Sequence, residues 1–458
     1  ACAEVELAAP RPKPCPPPGD VPPVTPDFVP YQAYRDPAPD GIDAFAIQQL
    51  TGAMGTGVTV LEIEWGWWFD HEDLSKLRPG SLVGPPGVVE AYNWHGLGVI
   101  GILAADADRW GVSGLVPDID VLVASSYPAT GYNVAAAVVL GLTRLRAGDV
   151  ILIAAQIESP LGLVPIEWNQ PDFDAIQNAT RLGVAVLETG ANGAVDLDDR
   201  RLRRAFDLSF RDSGAIIVGA SAGRLRERAW FSSFGSRIDA NGWGLDVITT
   251  GYGDLFGPNQ DRRQTYTMAF SGTSSATPMV TAAVVALRGA ANAQLAPADA
   301  NSLDWRAIRA LLRAHGTPMQ GDARIGLRPD MRRLFRAAGL ERGLRLRSRA
   351  RLGQMVEIEI SPEHARTGEG WLLLAARAPA NLPLSAPFLG NGCDRLLLDP
   401  ATTQALAEGV FTAHTTVLPL PVPTEPALHD QRFYLQAVRV RADGTACATN
   451  SVLLLIEP

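Results

Sequence analysis

Along the middle of the chain, apolar runs of strand length alternate with longer, alanine-rich runs. Val58 to Ile63, Val150 to Ala155, Val184 to Leu187 and Ala215 to Gly219 predict buried strands. Ala135 to Arg146, Pro171 to Leu182, Ser274 to Arg288 and Trp305 to Ala314 predict helices. Strands that are apolar throughout and spaced by helices imply a mainly parallel sheet covered on both faces. The expected fold class is therefore α/β, a three-layer domain. Around Gly339 to Gly343 the pattern changes to short alternating stretches: Met355 to Ile360, Gly370 to Ala376, Phe433 to Val440 and Ser451 to Ile456. These imply a separate all-β, sandwich-like domain. The first 30 residues hold eight prolines between Pro10 and Pro23, a composition that favours extended polyproline backbone and builds no core. The expected organisation is an N-terminal extension over 1–30, the α/β domain over 31–342 and the β domain over 343–458.

Composition narrows the function classes. With 458 residues and 47% hydrophobic content, the chain can bury two cores. No apolar run reaches about 18 residues, so no membrane span is expected. A formal net charge of −9 counts against a phosphate-binding surface, and no nucleic-acid partner is expected. The only lysines are Lys13 and Lys76; the arginine bias reads as a GC-rich genome. Four cysteines sit in two groups at the chain ends, which suggests pairs Cys2–Cys15 and Cys393–Cys447 and an oxidising compartment. Four free thiols are the alternative. No CxxC pair is present, so no zinc site is expected.

Three separated segments place a polar residue where a buried strand ends or a helix opens. The first ends in Glu64-Trp-Gly66 and continues to His71-Glu-Asp-Leu74. The second is Asn93-Trp-His95-Gly96-Leu97-Gly98. The third is Gly272-Thr273-Ser274-Ser-Ala276-Thr277-Pro278. Acid, then His, then Ser is one of the known chain orders of a serine triad. The chemistry needs all three. A serine hydroxyl is a weak nucleophile until a base takes its proton. The base in turn needs a carboxylate to hold its tautomer.

The three segments resemble the signature blocks of the subtilases, the subtilisin-like serine peptidases. The Gly-Thr-Ser-x-Ala-Thr-Pro block matches residue for residue. The His95 block carries Leu97 where the family has Thr. The first block departs most, with Glu64 at the position of the family's Asp; Glu62, one pleat deeper, is the competitor. The resemblance implies a secreted bacterial serine endopeptidase with Ser274 as nucleophile, His95 as base and Glu64 as its carboxylate. It also implies Asn192 as oxyanion donor, with Ala191 where the family has Gly. Ala154, Ala155 and Gln156 would form one wall of the substrate cleft, and Thr189, Gly190 and Ala191 the other. The substrate would be a polypeptide.

No cofactor is required for this chemistry. Asp196, Asp198 and Asp199 are candidates for structural Ca²⁺, which many subtilases carry. Trp65, Trp67, Trp68 and Trp94 either shape an aromatic cleft or pack around the site. Glu62, Glu158 and Glu188 either attract a basic side chain or belong to the scaffold. The β domain could dock the enzyme to a surface or polymer. Two other readings stand beside this one: a peptide-binding protein without turnover, and a chain whose β domain is the functional part.

Overall fold

The computed structural model describes residues 25–457 apart from 259–260, 342, 348–349, 362–366, 384–394, 412–414, 429–430 and 442–445. A one-turn helix α1 (Ala44–Gln48) precedes strand β1 (Thr59–Glu64) and helix α2 (Asn93–Ala104). There follow β2 (Asp120–Ser125), α3 (Val134–Gly141), β3 (Val150–Ile153), the hairpin β4 (Gln156–Ser159) and β5 (Gly162–Pro165), α4 (Gln170–Arg181) and β6 (Ala185–Thr189). β7 (Ile216–Ser221), β8 (Ala240–Trp243), β9 (Val247–Thr250), β10 (Tyr266–Phe270) and the long α5 (Thr273–Gln294) complete the part that positions the site.

Six of these strands form one parallel sheet in the order β2-β1-β3-β6-β7-β8. Alternation along β1 sends Val60, Glu62 and Glu64 to one face and Leu61 and Ile63 to the other. The first face packs with α2 and α5 through Leu97, Ile100, Ala276 and Val280. The second packs with α3 and α4 through Val138 and Ile176. The sheet is thus covered on both sides, as its apolar strands require. β1 lies between β2 and β3, so the chain leaves its end in opposite directions. Open α/β sheets place their sites at such a switch point, and Glu64 and Ile153 end the two strands that flank it.

Some boundaries moved. The run to Arg146 stops being α-helix at Gly141, where a Cβ would lie 2.1 Å from Leu61 Cδ2. The strand expected to Ala155 ends at Ile153, and the chain turns into the β4–β5 hairpin. α5 runs to Gln294, beyond Arg288, because nearly every residue of its length is buried.

The C-terminal region forms a three-stranded and a five-stranded sheet, both largely antiparallel. It meets the first domain at residues 49–51 and through the Arg432–Asp118 ion pair, among other contacts. Leu50 bridges Val452, Thr51 and Ser451 share a hydroxyl hydrogen bond, and Gln294 Nε2 donates to the Thr51 carbonyl at 2.9 Å. This contact sits at the far end of α5 from Ser274, a span of about 33 Å for its 22 residues. The β domain therefore lies away from the strand ends where the polar residues gather.

Candidate active site

Glu64 closes β1 and is 1% exposed. Its Oε1 accepts the backbone N–H of Trp65 at 2.8 Å, and its Oε2 is hydrogen-bonded to His95 Nδ1. The carboxylate is thus held at both oxygens, one by its own chain and one by the histidine. His95 sits in the first turn of α2 and keeps about a quarter of its side chain exposed. Burial works against the charged imidazolium, but the charge and hydrogen bond of Glu64 outweigh it and raise the His95 pKa. Nε2, the outward ring nitrogen, has no hydrogen-bond partner among the described residues. The ring meets Phe270 edge-on, with centroids 5.4 Å apart.

Phe270 ends β10 and leads into Gly272, whose φ of 108° and ψ of 175° only glycine adopts readily. That turn opens α5 at Thr273, so Ser274 is the second residue of the helix. Helix N-terminal N–H groups favour a developing anion there. The Ser274 hydroxyl is buried and makes no hydrogen bond among the described residues, to His95 or to any other group.

Asn192 reaches the same turn. Its Oδ1 accepts from the Thr273 backbone N–H at 2.9 Å and from Thr273 Oγ1 at 3.0 Å. This fixes the amide so that Nδ2 is the end left over, with no partner among the described residues. A Cβ on Gly272 would lie 3.2 Å from that nitrogen. The Asn192 backbone N–H donates to Gln156 Oε1 at 2.8 Å. Ala191 has φ of 73°, in the left-handed region that costs a non-glycine residue roughly 1–2 kcal/mol. The glycine-to-alanine difference in this block therefore falls at a residue whose conformation favours glycine.

The two expected walls lie side by side. Thr189 Oγ1 donates to the Ala155 carbonyl at 2.6 Å, and Gly190 donates to Val218 O at 2.7 Å. Gln156 opens β4, and Glu158 is exposed on the same hairpin.

Other candidates go elsewhere. Glu188 is fully buried; its Oε2 accepts the Glu167 N–H, and Glu167 pairs with Arg237 at 3.1 Å in the core. Glu62 is also fully buried, under Trp67. Neither faces the cleft. Asp196 and Asp198 both hold Arg324, and Asp199 pairs with Arg201 at 2.7 Å. A guanidinium stands where those acids would have gathered a calcium ion.

Trp67 is packed at 5% exposure, whereas Trp68 meets Trp94 edge-on at 4.1 Å with Arg262 over it. Trp65 stacks on Tyr127 at 4.6 Å and 8° and lies 4.5 Å from Tyr92. The tyrosines were not singled out from the sequence, because they come from segments far from Trp65 and carry no motif. Tyr252 is another: it lies 6.0 Å from Phe270, and burial and the Glu64 charge push its hydroxyl up to about 12.

Residues 169–324 match the subtilase family. Over these residues the chain is similar to the subtilisin-like serine peptidases. The Paenibacillus polymyxa intracellular serine protease is 25% identical over 278 residues, 58% of this chain and 79% of the relative. Alkaline elastase YaB of Bacillus sp. (strain YaB) is 29% identical over 263 residues, 57% of this chain and 59% of the relative. The chain also shares its fold with the Aeromonas sobria serine protease, solved with its chaperone: TM-score 0.53, 15% identity, 94% of this chain and 95% of that one. No helix among the described residues is long and apolar enough to cross a membrane.

Proposed function

We propose that the peptidase cuts polypeptides through an acyl-enzyme on Ser274, with His95 as general base, Glu64 as its carboxylate and Asn192 as oxyanion donor. The observation that carries this reading is the Glu64 carboxylate, held by Trp65 N–H and aimed at His95 Nδ1. Glu64 fixes the tautomer with the proton on Nδ1 and leaves Nε2 as the basic atom. Nε2 takes the Ser274 proton as Oγ attacks the scissile carbonyl, and Glu64 stabilises the imidazolium that results. The carbonyl oxygen becomes an anion between Asn192 Nδ2 and the N-terminal end of α5. The imidazolium then protonates the leaving amine, and water repeats the sequence to release the acyl group. The residues 154–156 and 189–191 flank the substrate on either side. The reaction calls on no cofactor.

Removing the oxyanion donor tests one part of this alone. Asn192→Ala should lower kcat by about 10²–10³-fold with little change in KM, the cost of one such donor. An unchanged kcat would remove Asn192 from the reaction. Asn192→Asp should not rescue it, because a carboxylate cannot donate.

We further propose that the peptidase works outside a bacterial cell, with Cys393 paired to Cys447 and Cys2 to Cys15. The bacterial sources of the relatives support a bacterial origin, while the Paenibacillus relative is by name an intracellular protease. Cys447 lies on the strand Ala446–Glu457, while the other three cysteines fall outside the described residues. Peptide mapping without reductant should recover a cross-linked fragment holding Cys393 and Cys447. A free Cys393 in protein purified without reductant would count against both the pair and the compartment.

A further inference from the structure

Two carboxylates share one face of β1, and only Glu64 touches the histidine. Glu62, one pleat deeper, lies in the layer between the sheet and helices α2 and α5. It is 0% exposed, and its neighbours across the sheet are Val123 and Leu152. α5 presents Ala276, Met279 and Val280 to this core, and the charged or titratable groups near Glu62 are Glu64 and, beyond it, His95. Its Oε2 accepts from Trp67 Nε1 at 2.6 Å, while its Oε1 is buried and has no partner. No cation pairs with it among the described residues. An ionised carboxylate buried with one neutral donor, next to a second carboxylate, is far costlier than the same group carrying a proton.

The single donor has a defined place. Trp67 is buried, and its indole fills a gap left on α2 by Gly96, the residue after His95. A Cβ on Gly96 would lie 2.6 Å from Trp67 Nε1 and 2.5 Å from the Gly66 carbonyl. A Cβ on Gly66 would lie 2.3 Å from Asn93 Oδ1 at the start of the same helix. The segment after β1 and the first turn of α2 are therefore fitted together on either side of His95, and Glu62 holds the indole that makes the fit.

We propose that Glu62 is a positioning residue, kept as a neutral carboxylic acid, which anchors Trp67 against Gly96 and leaves Glu64 as the single anion presented to His95. Burial first, then the Glu64 charge, hold its pKa well above the carboxylate range, against a smaller opposing effect of the indole bond. The inference rests on the triad reading above for the role of His95.

The first test needs no turnover. In the unfolded chain Glu62 ionises at about pH 4.3. In the folded chain it keeps its proton to higher pH, so stability falls as pH rises through that window. Glu62→Gln has no such proton. The Tm advantage of Glu62→Gln over wild type should therefore widen from about pH 5 to about pH 9. A gap that is constant with pH overturns the neutral acid. The second test is kinetic. Glu62→Gln, which can still accept from Trp67, should stay within about threefold of wild-type kcat, whereas Glu62→Leu should lose about 10- to 100-fold in kcat at unchanged KM. Wild-type turnover in Glu62→Leu overturns the positioning role. If Glu62→Leu does not fold, Trp67→Phe, which keeps an aromatic side chain and loses the N–H, takes its place with the same expectation. A wild-type protein without turnover would speak against the triad reading, and the Tm comparison would still report on Glu62.

Discussion

Ser274→Ala will abolish peptide hydrolysis while leaving the fold intact. The side chain is small and sits at the opening of α5, its hydroxyl bonded to nothing among the described residues. Alanine fits the same space and is a better helix former. The loss should be on the order of 10⁶-fold in kcat, the size seen when the nucleophile of subtilisin is removed. KM should change little, because the walls at 154–156 and 189–191 remain. Measured kinetics and a thermal melt on the same sample check both halves. Turnover within about tenfold of wild type would place the nucleophile elsewhere.

Glu64→Gln will cost up to about 10⁴-fold in kcat without unfolding the protein. The amide keeps the shape and can still face Trp65 N–H, but it cannot stabilise the imidazolium. The pH profile should move as well. Glu64 is what raises the His95 pKa, since burial alone lowers it. In wild type the rise of kcat/KM with pH should therefore be centred above the ordinary histidine value. In Glu64→Gln the residual activity should rise at lower pH. Glu64→Asp separates an adapted scaffold from tolerated drift. Both Glu64 oxygens are engaged, so a side chain one methylene shorter gives up the His95 contact or the Trp65 contact. The expected loss is about 10- to 100-fold, the cost of a misplacement of about 1 Å. Equal or better turnover in Glu64→Asp would show that the longer side chain is incidental.

The layers of the fold were legible because burial on both faces leaves an unbroken apolar signal. Val150 to Ile153 and Ile216 to Ser221 are readable for that reason, and so is α5. The candidate site was legible where chemistry imposes residue order: Glu64 meets His95, and Asn192 meets the turn that opens α5 one residue before Ser274. Side chains whose partners are distant in sequence were not legible. The acids Asp196 and Asp198 look like an ion site until Arg324, 128 and 126 residues away, is seen between them. Glu188 looks like a cleft residue until Glu167 and Arg237 place it in the core. Glu62 and Glu64 have the same parity along β1, so alternation could not choose between them. What separates them is depth: the strand end opens onto α2 at His95, while the pleat below is sealed by Trp67.

The rate at which a fluorophosphonate modifies the protein, followed by mass spectrometry across pH, tests the Glu64–His95–Ser274 arrangement most directly. A single adduct is expected, on the peptide holding Ser274, forming with a pH dependence governed by a group above the ordinary histidine pKa. Ser274→Ala should take no label, and Glu64→Gln should take it far more slowly. An adduct that persists in Ser274→Ala, no adduct at all, or a Glu64→Gln rate equal to that of wild type would contradict the arrangement.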